Sequence, residues 1–493
     1  MEQVIARKID EVHLKIHTSR SIEMNLKDYF SEMAANFMFH PKFKQGLWNG
    51  KIFAYNPQDH LLPIGLLPKL SKYCKANDIS LTLDFDTHCL YNQIDEEELY
   101  DLYDSIFSIE SGVYPRDYQH TAILKSLSNK RSIIEASVGA GKSAIIYSII
   151  RYLINHNKKI ILIVPNVALV NQMYSDFIEY GWTTINDFVT KLYSGVTPDF
   201  NKNVLITTWQ SVQYKKEAFF KQYDALLVDE THGLKSNQMA SISKKCVNAD
   251  IRNGFTGTMP PNKADYQTVV SYLGPVTFNI STKELIDRDV LSKIKINNLI
   301  VKYDKVHCVG SRDYDSEMKF ITSYEPRRKV LDHIIEKNEN NENTLILVHK
   351  IDHLKKTEEY LKENYGKTHQ VYVIYGEVKA DEREDIRIAA RSQGNVLIIG
   401  TYATLAVGWN LPRLHNIVFY SSYKSKIKVL QSIGRGLRKH ETKDIMVLWD
   451  VVDDLRYSQG NKTIDNFIYR HFKTRKQYYE EQGFPFSDSQ IKI

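Results

Sequence analysis

Two series of short β-branched runs, each run separated from the next by an amphipathic stretch of helix length, constrain this chain more than any other feature. The first series is RSIIEA, KKIILIVP, NVLITTW, YDALLVDE and DIRNGFTGT, within residues 131–258. The second is NTLILVHK, HQVYVIYG, NVLIIGTY, HNIVFYSS and DIMVLWDVV, with helix-like segments such as IDHLKKTEEYLKEN and DEREDIRIAARSQ between them. Strands that are apolar on both faces and alternate with helices form parallel sheets through crossover connections. Two tandem α/β sheets are therefore expected, and a chain of 493 residues is too long for one core. The polar stretch 302–325 carries few strand or helix cues and reads as part of the connection between them.

The ends do not follow this rhythm. Residues 1–112 close on the acidic segment QIDEEELYDLYDSIFSIESG, which reads as a helix and then a linker at Gly112. Residues 456–493 include NKTIDNFIYRHFKTRKQYYEEQGF, a basic, aromatic-rich helix whose Arg470, Lys473, Arg475 and Lys476 suit either DNA or solvent. Lys plus Arg number 65 against 59 Asp plus Glu, an excess compatible with a polyanionic partner but not diagnostic of one. No apolar run approaches the ~18 residues of a membrane span. The start, MEQVIARKID, lacks a secretory apolar core, so a cytoplasmic location and no membrane partner are expected. Cys74, Cys89, Cys246 and Cys308 form no C-x-x-C pair and read as reduced thiols, and the histidines show no metal-ligand spacing.

Four segments carry chemistry. ASVGAGKS (136–143) follows the strand RSIIEA and opens the helix-like KSAIIYSIIRYLIN, the context of a phosphate-binding loop, although Ala136 stands where the strict pattern has glycine. Ser137, Val138, Gly139, Ala140 and Gly141 would curl backbone N–H groups around phosphate oxygens at a helix N-terminus. Lys142 would reach the β/γ-phosphates and the Ser143 hydroxyl would bind Mg²⁺; alone, the loop is also compatible with a Gly-rich turn. LLVDETH (226–232) ends an apolar strand in two carboxylates: Asp229 suits the Mg²⁺ shell, and Glu230 suits orienting or deprotonating water. In YPRDYQ (114–119), Arg116 and Gln119 can read an adenine edge while Tyr118 covers its face. KSKIKVLQSIGRGLRKH (424–440), if helical from 425, puts Gln431, Arg435 and Arg438 on one face. Such arginines suit stabilising charge on a γ-phosphate, whereas a purely solvated or phosphate-backbone role is the plainer alternative. The paired Asp453 and Asp454 in VVDDL read as structural or surface residues.

The order of these segments resembles the superfamily 2 helicases and translocases. RDYQ is similar to their adenine motif, ASVGAGKS to motif I, VPNVALVNQ (164–172) to motif Ia and TTWQS (207–211) to motif Ib/Ic. DETH resembles motif II, TGT (256–258) motif III, LVHK (347–350) motif IV, GTYATLAVGWNLP (400–412) motif V and QSIGRGLR (431–438) motif VI. In this superfamily motif I often opens with alanine, so Ala136 is a family variant. The resemblance implies two tandem RecA-like parallel-sheet domains, 113–282 and 283–455, with a small α+β amino-terminal domain (1–112) and a short helical tail (456–493). It implies ATP and Mg²⁺ as cofactors, with ATP in the cleft between the two domains. It also implies catalytic roles for Lys142, Glu230, Gln431, Arg435 and Arg438, and strand contacts at Asn166, Thr208 and Thr401.

Outside the motor, FHPKFKQGLWNGKIFAYN (39–56) and the LLPIGLLPKLSKYCKAND that follows are similar to the amino-terminal domain of UvsW-type phage helicases. That family remodels branched DNA in recombination and fork rescue. The expected partners are forked or branched duplex and a tracked single strand, with RNA–DNA hybrids and recombination proteins as further candidates; the chain is expected to be a monomer in isolation, in the host cytoplasm. Lys44, Trp48 and Lys51 are the candidate DNA contacts here, with the Asn-Gly of WNGK forming a tight turn. The same aromatics equally suit the core of a small β-domain. An RNA helicase or a restriction-type translocase would share the motor, and a non-catalytic ATP-gated clamp is the alternative of another class. The retained lysine, carboxylates and arginines weigh against the clamp, and the second α/β unit is left unexplained by a metabolic kinase.

Overall fold

The computed structural model describes residues 2–493 apart from 236, 311, 340, 403–410 and 412, with the backbone alone at 235, 237, 380 and 381. The chain sorts into two compact units, residues 1–137 with 141–280, and residues 281–493 with 138–140. Each is built on a seven-stranded sheet in which every pairing is parallel.

In the first unit the sheet runs Val276–Ile280, Arg131–Ala136, Ile251–Thr256, Ala225–Asp229, Ile160–Val164, Val204–Thr208, Val189–Leu192. The Ile160–Val164, Val204–Thr208 and Ala225–Asp229 strands are buried at every position, which is why their sequences are apolar runs rather than alternating ones, with polar Thr207, Thr208 and Asp229 only at their carboxyl ends. Ahead of this sheet, residues 3–83 form a mixed four-stranded sheet in the order Leu61–Pro63, His13–His17, Gln3–Lys8, Ser80–Leu83, with its own core around Leu14, Ile16, Leu26 and Leu70. It is docked on the sheet domain by polar bonds: Arg131 Nη2 donates to the Glu11 carbonyl (3.0 Å), and Gln267 Nε2 to the Phe30 carbonyl (3.0 Å). Where the turn Ile64–Leu66 meets the helix Lys263–Leu273, a Cβ on Gly65 would lie 2.1 Å from the Val270 carbonyl oxygen, so only glycine fits. The acidic segment forms the expected helix, Glu96–Ile106, with three glutamates in its first turn where the helix dipole favours them.

The second sheet runs Gln370–Ile374, Val396–Thr401, Thr344–Val348, Asn416–Phe419, Ile445–Asp454, Lys293–Lys302, Phe486–Lys492. Two of its strands, Lys293–Lys302 and Phe486–Lys492, are absent from the sequence reading; the latter is an edge strand with mostly exposed side chains and no apolar signal. The stretch expected to be connection contains the helix Tyr314–Ser323. Its buried Glu317 accepts hydrogen bonds from the backbone N–H groups of Phe467 (3.0 Å) and Ile468 (2.9 Å), placing an anion at the start of the tail helix Phe467–Glu481.

That helix is bolted to the sheet. Arg475, fully buried, donates to both oxygens of Asp450 (2.7 and 2.9 Å), to Ser422 Oγ (2.9 Å) and to the Tyr423 carbonyl (3.0 Å). Arg475 therefore serves neither DNA nor solvent, because its side chain is wholly enclosed in the fold.

Candidate active site

Three strands of the first sheet carry the nucleotide signatures to one level. Glu135, next to the strand end at Ala136, pairs with Thr256, and Phe255 pairs with Asp229. The phosphate loop, TGT and DETH segments thus leave the carboxyl ends of adjacent strands, where open parallel sheets bind ligands. Neighbouring strands lie ~4.8 Å apart, so the loop and the acidic pair are separated by roughly two strand spacings.

The loop is shaped by its glycines. Gly139 and Gly141 both have positive φ (89° and 77°), and a Cβ on Gly141 would sit 2.3 Å from Gln119 Nε2. Ala136 is fully buried at the strand end, where a methyl group is accommodated. Lys142 Nζ donates to the Ala136 carbonyl (3.0 Å), spanning the loop at the start of the helix Lys142–Asn155. Ser143 Oγ lies 2.7 Å from the Tyr180 hydroxyl, a partner no sequence motif announces because it caps the C-terminus of the helix after the next strand, Val167–Glu179. Gln119, buried, accepts from the Arg116 backbone N–H (2.8 Å) and directs its amide at the Gly141 carbonyl (3.5 Å). The adenine-motif glutamine is therefore tied to the loop itself, and buried Tyr118 stands beside it in the helix Asp117–Ser128.

The acidic pair has a different character. Asp229 is buried, and its Oδ1 has no hydrogen-bond partner among the described residues. Burial pushes its carboxyl above the usual range, Glu230 adds to the rise, and Lys142 and His232 act against it. A buried, under-coordinated carboxylate with a lysine at electrostatic range fits a divalent cation, whose charge would replace the missing hydrogen bond. Glu230 follows in the left-handed region (φ 51°), a conformation that costs a non-glycine residue ~1 kcal/mol or more and collects at functional sites. Its Oε2 lies 3.2 Å from His232 Nδ1.

In the second unit the helix Lys426–Gly436 carries Gln431 and Arg435 one turn apart, as expected. Arg438 does not share that face. The helix ends two residues earlier, and Arg438 forms an isolated β-bridge with Leu291. Gly434 and Gly436 weaken the last turn, and buried Lys443 Nζ donates to the Gly436 carbonyl (2.7 Å), satisfying one of the carbonyls the helix end leaves open. Burial, then Arg438, push the Lys443 ammonium down to about 7.

The candidate strand contacts differ in availability. Asn166 Oδ1 accepts from Leu169 N (3.0 Å), capping the helix Val167–Glu179, and buried Thr208 bonds Ser211 Oγ through its hydroxyl (2.9 Å). Thr401 is a buried strand end; the rest of its signature, 403–410 and 412, lies outside the described residues. In the amino-terminal domain, Lys44 is exposed and Lys51 half-buried, 3.9 Å from Asp28. Trp48 donates its indole N–H to the Lys51 carbonyl (2.9 Å) and packs edge-on to His40, and Tyr55 is a core residue. The Asn-Gly turn forms, with Gly50 at φ 79°, but it leads into the strand Lys51–Phe53, whose antiparallel partner Ser31–Met33 is far upstream, not across a tight hairpin.

Three family models match separate parts of the chain. Residues 5–84 match the family described as DNA helicase UvsW, N-terminal; residues 112–261 match Type III restriction enzyme, res subunit; residues 326–440 match the helicase conserved C-terminal domain. The chain is 30% identical to the ATP-dependent DNA helicase uvsW of Enterobacteria phage T4, over 96% of this chain and 97% of that protein. It is 24% identical to a DNA 3'-5' translocase of Sulfurisphaera tokodaii over 69% of this chain and 82% of that one. The crystal structure of T4 UvsW superposes with a TM-score of 0.52 at 26% identity, covering 99% of both chains.

Proposed function

The chain belongs to the UvsW-type DNA helicases of superfamily 2, and from that premise we propose that it hydrolyses ATP to remodel branched DNA, by fork reversal and branch migration, in phage recombination and repair. The observation that carries this reading is the convergence of Lys142 and the Asp229–Glu230 pair at the carboxyl ends of neighbouring parallel strands, with Asp229 short of a hydrogen bond and Glu230 held in a strained conformation.

In this reading residues 1–112 are the accessory DNA-binding domain, 113–282 and 283–455 the two motor domains, and 456–493 the tail. Asp229 and the Ser143 hydroxyl would hold Mg²⁺, which supplies charge neutralisation on the phosphates; Ser143 would exchange its bond to Tyr180 to do so. Lys142 would leave the Ala136 carbonyl for phosphate oxygens, and the backbone N–H groups of 137–141 would complete the cradle. Glu230 orients and deprotonates water, with His232 beside it to fix the carboxylate. Gln431, Arg435 and Arg438 are the candidate γ-phosphate sensors, Arg116, Tyr118 and Gln119 the adenine site. Asn166 and Thr208 contact the strand through backbone groups, since their side chains already have protein partners. Recognition through phosphates reads structure rather than base order and weakens steeply with salt. RNA–DNA hybrids are a further substrate, recombination proteins further partners, and the host cytoplasm the site of action; among the described residues no helix is long and apolar enough to cross a membrane.

The test is ATP-dependent processing of a substrate panel: forked, four-way, RNA–DNA and blunt duplex. Forked and four-way DNA are expected to be processed fastest. Opening of RNA duplexes alone would defeat the branch-remodelling assignment, and ATP binding without turnover on any substrate would return the clamp.

A further inference from the structure

Between the short paired strands Ser31–Met33 and Lys51–Phe53 the chain makes an excursion of its own. The backbone closes it at the base, where Ala34 N donates to the Gly50 carbonyl (2.9 Å), and within it, where Leu47 N donates to the Lys42 carbonyl (2.8 Å). Phe37 packs edge-on against Phe43 (4.9 Å between centroids), and Trp48 against His40 (5.1 Å). These contacts build a small lobe held by two aromatic pairs, in which Phe37, Phe43 and Trp48 are half-buried.

Trp48, the aromatic candidate contact of this stretch, is engaged in one of those pairs. What the lobe presents outward is different: Met38, Phe39 and Leu47 are 59%, 71% and 74% exposed. Large apolar side chains this open, gathered on one local structure, are costly in water and mark a surface that meets something. Charge says what. From Met33 to Gln58 there is no Asp or Glu, while Lys42, Lys44 and Lys51 interleave with the apolar residues. Protein-binding patches deplete lysine at their centres. Apolar wedges flanked by cations are how proteins engage unstacked bases beside phosphates.

We propose that this lobe is a branch-point wedge: Phe39, with Met38 and Leu47, stacks on the base pair that ends a duplex arm, while Lys42 and Lys44 hold the adjoining phosphates. The assignment rests on the DNA-helicase reading above and deepens it by naming the feature of the substrate that the amino-terminal domain detects. A duplex interior offers no open base face, so the wedge engages ends and branch points and ignores continuous duplex. Trp48 acts by shaping the lobe and Tyr55 by filling the core of the domain beneath it, neither by touching DNA.

The experiment uses the full chain and forked DNA carrying 2-aminopurine in the branch-proximal pair. The unmodified protein should raise the fluorescence as that pair unstacks. The double variant Phe39→Ser, Leu47→Ser should lose the rise and process forks at least roughly ten-fold more slowly, the scale of one lost base–aromatic stack. Its ATP turnover on single-stranded DNA should stay within about two-fold, since the motor strand is held elsewhere, and Phe39→Tyr should retain the fluorescence rise. Both positions are exposed, so an unchanged unfolding curve is expected and separates contact from folding. Wild-type fork processing and fluorescence in the double variant would overturn the wedge. So would self-association of the unmodified chain that the double variant abolishes, which would assign the patch to a second copy. Absence of DNA-stimulated ATP turnover in the unmodified chain would instead defeat the helicase reading, and the wedge with it.

Discussion

Two strands of this molecule end in adjacent acidic residues, and they have opposite fates. Ala225–Asp229 delivers Asp229 and Glu230; Ile445–Asp454 delivers Asp453 and Asp454. Asp453 is saturated: Arg327 donates to both its oxygens (2.7 and 2.9 Å), Tyr303 adds a third bond (2.7 Å), and the Arg327 guanidinium lies over Tyr420. Asp454 is held by Lys302 and by two bonds from Arg456 (both 2.8 Å). Among the described residues Asp229 lacks a partner for one buried oxygen, and Glu230 sits on strained backbone. The pair that holds the fold has its bonds complete. In the pair assigned to chemistry, Asp229 keeps bonding capacity to spare and Glu230 keeps its strained backbone, at some cost in stability.

The comparison breaks most visibly at Arg327. Arg327→Met would strand Asp453 as a buried, unpaired charge, and urea unfolding should show a loss of about 3–5 kcal/mol. Asp454 gives a smaller, pH-dependent effect. Burial alone would raise its carboxyl, but the bonds from Arg456 and Lys302 outweigh it and hold the group down to about 2. A depressed carboxyl stabilises the fold above its unfolded value near 4, and that contribution is lost as pH falls through the folded value. It amounts to roughly 2 kcal/mol. Asp454→Asn should therefore cost stability at neutral pH and flatten the acid limb between about pH 4 and pH 2. Smallest is the change at Asp229. Asp229→Asn, without metal, should leave stability within about 1 kcal/mol of the parent or raise it, since the carboxylate it removes is poorly satisfied. A loss as large as that at Arg327 would erase the distinction between the two pairs.

Much of this was legible in the sequence, for a physical reason. Five strands of each sheet were identifiable as apolar runs: nine are interior strands covered on both faces, and the tenth, the edge strand Gln370–Ile374, still carries the run VYVI. Val189–Leu192 and Val276–Ile280 lie at sheet edges and are partly exposed; Lys293–Lys302 begins with alternating lysines, and Phe486–Lys492 shows almost no apolar residues. The phosphate loop and the acid motif were readable because backbone shape and strand ends impose residue type. The end of the arginine helix was not fully readable: Gly434 and Gly436 are visible as weak helix formers, but the bond from Lys443 to the Gly436 carbonyl, seven residues on, leaves no periodic trace. Nor was the division of labour in the 39–56 stretch. Composition shows that aromatics and lysines are present, but packing decides that Trp48 faces inward and Phe39 outward.

The central claim is that Glu230 is the base of an ATP-hydrolysing motor. Glu230→Gln keeps the size and the hydrogen-bonding reach of the side chain and removes its proton-accepting charge. Steady-state ATP turnover with DNA, measured beside nucleotide and DNA binding on the same preparation, is predicted to fall about 10²-fold or more while both affinities stay within a few-fold. Turnover at the parent rate with binding intact would contradict the account.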